Sequence, residues 1–192
     1  MQATPTAKKV KVSSNKFTAV DLITVVVFAA LFRVLWLVFK AAGVIFPFNH
    51  SFMHFFSAFC LVACVAVVKK RWAAFFYTVG WCAINFFLQG EHWSYWILPL
   101  TVGVIPELYM MARSKAFEDP TDVYHSFKDL LVFTEIYTVI YFIWVWISLI
   151  FIFLIPVSWP LSALAFALAL VLAVPGVYLG WKAGTKIHGL IN

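Results

Sequence analysis

The chain has 192 residues, 64% hydrophobic and only 11% charged, and its mean hydropathy is +0.95. Soluble domains are roughly 45–50% apolar, so a water-soluble fold is excluded: one core could not hide 21 Phe and 9 Trp, and much of that surface must face lipid. The net charge of +6 does not indicate nucleic acid, because Lys and Arg fall in short runs between long apolar segments and read as topology signals.

In chain order, residues 1–16 form a polar N-terminal tail, followed by a stretch long enough to span a bilayer. That order predicts a retained first helix and no cleaved signal peptide. A span needs about 20 mostly apolar residues, and the sequence supplies six, at 18–40, 50–68, 72–89, 93–112, 130–155 and 160–181. The third is short, and the fourth contains Pro99 and Pro106. Residues 188–192 are predicted as a C-terminal tail. The basic residues alternate sides. Lys8, Lys9, Lys11 and Lys16 precede the first span; Lys69, Lys70 and Arg71 lie between the second and third; Arg113, Lys115 and Lys128 lie between the fourth and fifth; Lys182 and Lys186 follow the sixth. Only Lys40 lies in a loop on the opposite side. By the positive-inside rule this predicts an all-α, six-helix integral membrane bundle in the cell membrane, N-in/C-in, with residues 17–187 as one domain. The polar connector 114–129 carries Asp119, Pro120 and Asp122, which reads as a helix start and predicts a short cytoplasmic helix before the fifth span.

Cys60, Cys64 and Cys82 lie in apolar stretches and read as small buried hydrophobes, not as a disulfide or zinc framework. The nucleotide-binding, metalloprotease and serine-hydrolase signatures are missing, so the chain reads as a non-enzyme with no catalytic residue, cofactor or metal ligand of its own. Ionisable groups inside spans tend to face the bundle interior. Arg33, near Trp36, can bind an anionic group or pair with an acid. For Glu107 and Glu135 a structural pairing or interfacial position is expected, and Asp21 suits the first turn of its helix.

The outer ends of the spans gather Asn49, His50, His54, Trp81, Asn85, Glu91, His92, Trp93, Tyr95 and Trp96. His50 and His54 share a helix face. An aromatic belt explains Trp93, Tyr95 and Trp96. Trp mixed with Asn, His and Glu also suits a pocket for a flat, polar-edged molecule, for which Arg33, Trp36, Asn49, His50, His54, Trp81, Asn85, Glu91, His92, Trp93 and Trp96 are the predicted lining. The histidines also permit haem or a metal chelate as a second choice. In the last span Gly176, Gly180 and Gly184 follow Ala165, Ala169 and Ala173 on one face; packing within the bundle and docking of another membrane protein are both open.

Six spans in this length, the lead Phe17-Thr18-Ala19-Val20-Asp21-Leu22, Gly90-Glu91-His92-Trp93 opening the fourth span, Pro106-Glu107-Leu108 near its inner end and the closing Gly180-Trp181-Lys182 resemble the substrate-binding S component of energy-coupling-factor (ECF) ABC transporters. The layout is similar to S components for thiamine and its pyrimidine precursor. The resemblance implies binding of a small aromatic or heterocyclic vitamin from outside, with a transmembrane T component and cytoplasmic ATPases as partners and lipid around the bundle. It also implies docking through small residues on the first helix, where Ala29 and Ala30 are partial matches, since Arg33 and Val34 follow them at spacing four. The metal-ion members begin Met-His; this chain begins Met1-Gln2. A membrane enzyme acting on a lipid or isoprenoid, and a structural membrane subunit, are the alternative readings.

Overall fold

In a bilayer core every backbone N–H and C=O must be satisfied within the protein, so long apolar segments become helices. The computed structural model of the chain describes residues 16–41, 48–90 and 92–191. Among them are six principal helices: α1 Ala19–Ala41, α2 Phe48–Val68, α3 Ala73–Gln89, α4 Val104–Ser114, α5 Phe127–Ile147 and α6 Trp159–Ile191. The fourth span comprises a 3₁₀ turn Trp93–Ile97, a π turn Pro99–Gly103 and then α4, while α5 continues into a π turn Ser148–Ile152. This is an all-α, multi-pass membrane bundle. Five of its spans are long and apolar enough to cross a bilayer. The 17-residue α3 is about 25 Å long at 1.5 Å per residue, against a hydrocarbon core of about 30 Å.

The helix starts follow from local chemistry. Thr18 and Asp21 cap α1 reciprocally: the Thr18 N–H donates to Asp21 Oδ2 at 2.6 Å, and the Asp21 N–H donates to Thr18 Oγ1 at 3.3 Å, closing a capping box. Gly90, with φ of 62°, ends α3 in the left-handed conformation that favours glycine. Pro106 is the third residue of α4, directly after the π turn, and cannot donate to a carbonyl of that turn. The expected helix at Asp119 is instead a turn. Asp119 Oδ1 accepts from the Thr121 N–H and hydroxyl at 2.8 and 2.7 Å, only a four-residue 3₁₀ turn, Asp122–His125, follows, and Ser126 caps α5 by accepting from the Asp129 N–H. The helix of the last span also outruns its expected end at 181. Lys182–Ile191 contains no proline, and the helix continues through the residues expected to be a tail.

α2 lies at the centre of the packing, flanked by α1 and α6, and the ring closes through α5, α4 and α3 back to α1. Residues 60–68 of α2 are buried on every side. They are Cys, Leu, Val and Ala, small enough for neighbours to come close. α6 runs parallel to α2, with its glycines on α2 backbone: a Cβ at Gly180 would stand 2.5 Å from the Phe59 carbonyl oxygen, and one at Gly184 2.7 Å from the Ala66 Cβ. α1 and α3 are likewise parallel, with Ala29 of α1 against Gly80 of α3.

One end of the bundle gathers the basic residues. There Lys70 Nζ reaches Asp21 Oδ2 at 2.5 Å and the Lys16 carbonyl at 2.7 Å. At the opposite, aromatic end, Ser51 Oγ donates to the Ala165 carbonyl at 2.6 Å and ties α2 to α6.

Candidate functional site

The aromatic end encloses a cavity of about 30 Å³ between α1, α2, α3, α5 and the 3₁₀ turn. α1 contributes Phe32, Arg33 and Trp36; α2 contributes His50, Met53, His54 and Ser57; α3 contributes Trp81 and Asn85; the turn contributes Tyr95; α5 contributes Tyr137 and Tyr141. Helical spacing dictates the set. His50, Met53, His54 and Ser57 fall at i, i+3, i+4 and i+7 of one α2 face, while Tyr137 and Tyr141 are an i, i+4 pair.

The wall is a network of rings with polar edges. The Arg33 guanidinium carbon lies 5.4 Å from the Trp36 ring centroid, a cation–π geometry, and Trp36 packs on His50 with centroids 5.4 Å apart. Tyr141 Oη lies 3.3 Å from His50 Nδ1, and the Tyr141 ring meets His54 edge-on at 5.0 Å. Trp81 Nε1 donates to Tyr137 Oη at 3.3 Å. Arg33, His54 and Asn85 are 3%, 4% and 1% exposed, so a charged and two polar side chains are held inside a membrane protein, where polarity is costly and usually functional. The Trp36 Nε1 hydrogen is buried and has no acceptor among the described residues. None of the described lining side chains is acidic.

Of the predicted lining, Arg33, Trp36, His50, His54, Trp81 and Asn85 meet at the cavity. Four others do not. Asn49 folds back on the first turn of α2, its Oδ1 accepting from the His50 N–H at 2.7 Å. His92 is consumed as a cap: its Nδ1 accepts from the Ser94 N–H and lies 2.8 Å from Ser94 Oγ. In a 3₁₀ turn residues three apart eclipse, so Trp93 and Trp96 share the outward side, 70% and 38% exposed, and lie where the belt reading puts them. Glu91 lies outside the described residues. Phe32, Met53, Ser57, Tyr137 and Tyr141 were not foreseen, and Tyr95, expected in the aromatic belt, lines the cavity instead. The signal for the α5 pair is a polar stripe, Thr134, Tyr137, Thr138 and Tyr141, along one face of an otherwise apolar span.

The docking residues also have other roles. Gly176, Gly180 and Gly184 are buried against α2, and Ala29 is fully buried against α3. Their small side chains serve contacts within the chain, so none of the four is open to a partner; Ala30 is half-buried. Glu107 is 0% exposed, and its Oε1 accepts from the Ala74 N–H at 2.9 Å. Among the described residues no group of three His, Cys, Asp or Glu side chains is placed to hold a metal ion. The sequence matches no family model, no curated protein and no solved structure, so the likeness to S components rests on layout.

Proposed function

We propose that this protein is a small-molecule-binding membrane protein, the substrate-binding subunit of a micronutrient importer in the cell membrane. It takes a compact aromatic or heterocyclic compound into the cavity from the outer side and releases it inward with a transmembrane partner and cytoplasmic ATPases. The basic end faces the cytoplasm in this reading, as the positive-inside rule requires.

The observation that carries the reading is the burial of Arg33, His54 and Asn85 together with Trp36, Trp81 and Tyr141 around one cavity. Aromatic faces supply stacking, and the polar edges supply orientation. Donors dominate the wall. The Trp36 N–H is a buried donor with no acceptor among the described residues, Arg33 and the histidines bring further N–H groups to the wall, and Asn85 brings a carbonyl acceptor. The preferred ligand therefore has an acceptor-rich edge of ring nitrogens or carbonyl oxygens, and a pyrimidine-type vitamin precursor is the favoured case. A volume of about 30 Å³ has room for a water or two. Small-molecule pockets begin near 300 Å³, so binding must part the walls. Side-chain rings form most of those walls, and rotamer changes at a binding surface are common.

Native mass spectrometry of the protein in nanodiscs against a panel of vitamins, vitamin precursors and haem tests this reading. One acceptor-edged ring compound should remain bound, quench tryptophan fluorescence and lose affinity by roughly tenfold or more in Asn85→Ala, the scale of a buried hydrogen bond left unmade. If no panel compound binds, or if Asn85→Ala binds as well as the parent, the cavity is not the site.

A further inference from the structure

We propose that Glu107 is a proton-binding site whose charge state sets how firmly α3 is held against α4. α3 begins after Trp72, whose φ of 74° is left-handed and which gives the helix no side-chain cap. The first amides of a helix need acceptors from elsewhere. Glu107 provides one from α4: its Oε1 accepts from the Ala74 N–H at 2.9 Å. The other oxygen is different. Oε2 is buried and has no hydrogen-bond partner among the described residues, and the whole side chain is 0% exposed.

A cap alone does not require a charge, since an amide or hydroxyl oxygen also accepts from a helix N-terminus, through a weaker bond than a carboxylate makes. A carboxyl with one oxygen anchored and the other bare has two uses for its surroundings. As the anion it grips the Ala74 amide of α3 through a charge-assisted bond. On taking a proton from water at Oε2 it becomes neutral, keeps Oε1 as a weaker acceptor and gains an O–H donor. The titratable groups close enough to feel its charge are Cys64 of α2 and Tyr124 of the 3₁₀ turn. On α5, Asp129 is turned instead to Arg113 and Tyr109, at 2.7 and 3.0 Å. No described Lys or Arg forms an ion pair with Glu107. Cys64 lies one helical turn from the end of α2, so the carboxyl sits near the basic face, a short path from water.

The position of α3 gives the site consequence. The same helix carries Trp81 and Asn85 to the cavity, roughly two to three turns beyond its anchored start. Loosening the anchor on the basic side frees two cavity walls on the other. The proton site itself stands without the binding reading; its effect on release rests on it.

Infrared difference spectroscopy of the reconstituted protein decides the matter without any cavity ligand. On acidification the parent should gain a carboxylic-acid C=O band that Glu107→Gln lacks. Hydrogen exchange at the Ala74 amide, corrected for its intrinsic pH dependence, should lose protection on the order of tenfold over the same range, the difference between a charge-assisted and a neutral hydrogen bond. In Glu107→Gln it should be weakly protected throughout. Identical spectra for parent and Glu107→Gln across the folded range, or unchanged Ala74 protection, would leave Glu107 a permanent cap and overturn the proposal. Should Glu107→Gln fail to fold, Glu107→Asp must keep the band at a shifted frequency, and its absence counts equally against the site. A panel without a binder removes the cavity reading and leaves this result untouched.

Discussion

Two tryptophans expected in the same pocket have opposite roles. Trp36 points its N–H into the bundle with no acceptor among the described residues, whereas Trp93 is 70% exposed at the aromatic end. An indole ring is large and apolar with one donor at its edge, so what that donor faces separates a cavity wall from a membrane belt. Trp36→Phe keeps most of the ring and removes the donor. Titrated with the panel compound that binds the parent, it should lose roughly tenfold in affinity, while Trp93→Ala should bind as the parent does. The reverse pattern would move the site to the surface of the 3₁₀ turn. His92 teaches a related point: a histidine next to Trp and Glu reads as a ligand group in sequence, but a serine two residues on gives it a local partner, and the imidazole becomes a cap.

At the scale of elements, the most extensive contact is between α2 and α6, and it is made of missing side chains. In lipid there is little hydrophobic gain from pairing helices, so close backbone approach and dispersion supply the stability. Gly180→Ala adds one methyl where the Phe59 carbonyl already stands and should cost about 1–3 kcal/mol, as overpacking does, in reversible unfolding from mixed micelles. Gly189→Ala, with nothing within 4 Å of its added Cβ, should change little; equal losses would show that the close approach at Gly180 carries no special weight. Much of this level was legible in the sequence. Hydropathy located the spans, and glycine at spacing four marked a packing face without saying whose. The partner was not legible, because small residues suit any close neighbour, and only the three-dimensional order put α2 there. Six of the cavity residues could be foreseen from polar groups inside spans. Tyr137 and Tyr141 escaped because tyrosine blends into an aromatic-rich membrane segment.

Across the whole molecule the two ends have different chemistry. The aromatic end packs aromatic and imidazole rings around Arg33; the basic end is tied by short polar links. There Trp181 Nε1 donates to the His125 carbonyl at 2.8 Å, His188 Nδ1 lies 2.9 Å from the Val67 carbonyl, and the two imidazoles are 5.9 Å apart. Burial, then the charge of Lys69 and the nearness of His188, hold the His125 pKa below its ordinary value, with Asp122 opposing. A base with a lowered folded-state pKa contributes stability that is complete above its unfolded value, about 6.5, and is lost as pH falls from there through the folded value. The melting temperature in detergent should therefore drop between pH about 7.5 and about 5.5, a window around that value, and His125→Gln should flatten part of the drop. A slope unchanged by the substitution would place the acid sensitivity elsewhere.

The parallel pairing of α2 with α6 also has a consequence for biogenesis. Spans enter the bilayer in chain order, so α2 precedes its principal neighbour α6 by three intervening spans. Until then the carbonyl-lined groove of α2 that receives Gly176, Gly180 and Gly184 faces lipid or the insertion machinery. The packing face of α2 is therefore completed only once α6 has entered the bilayer.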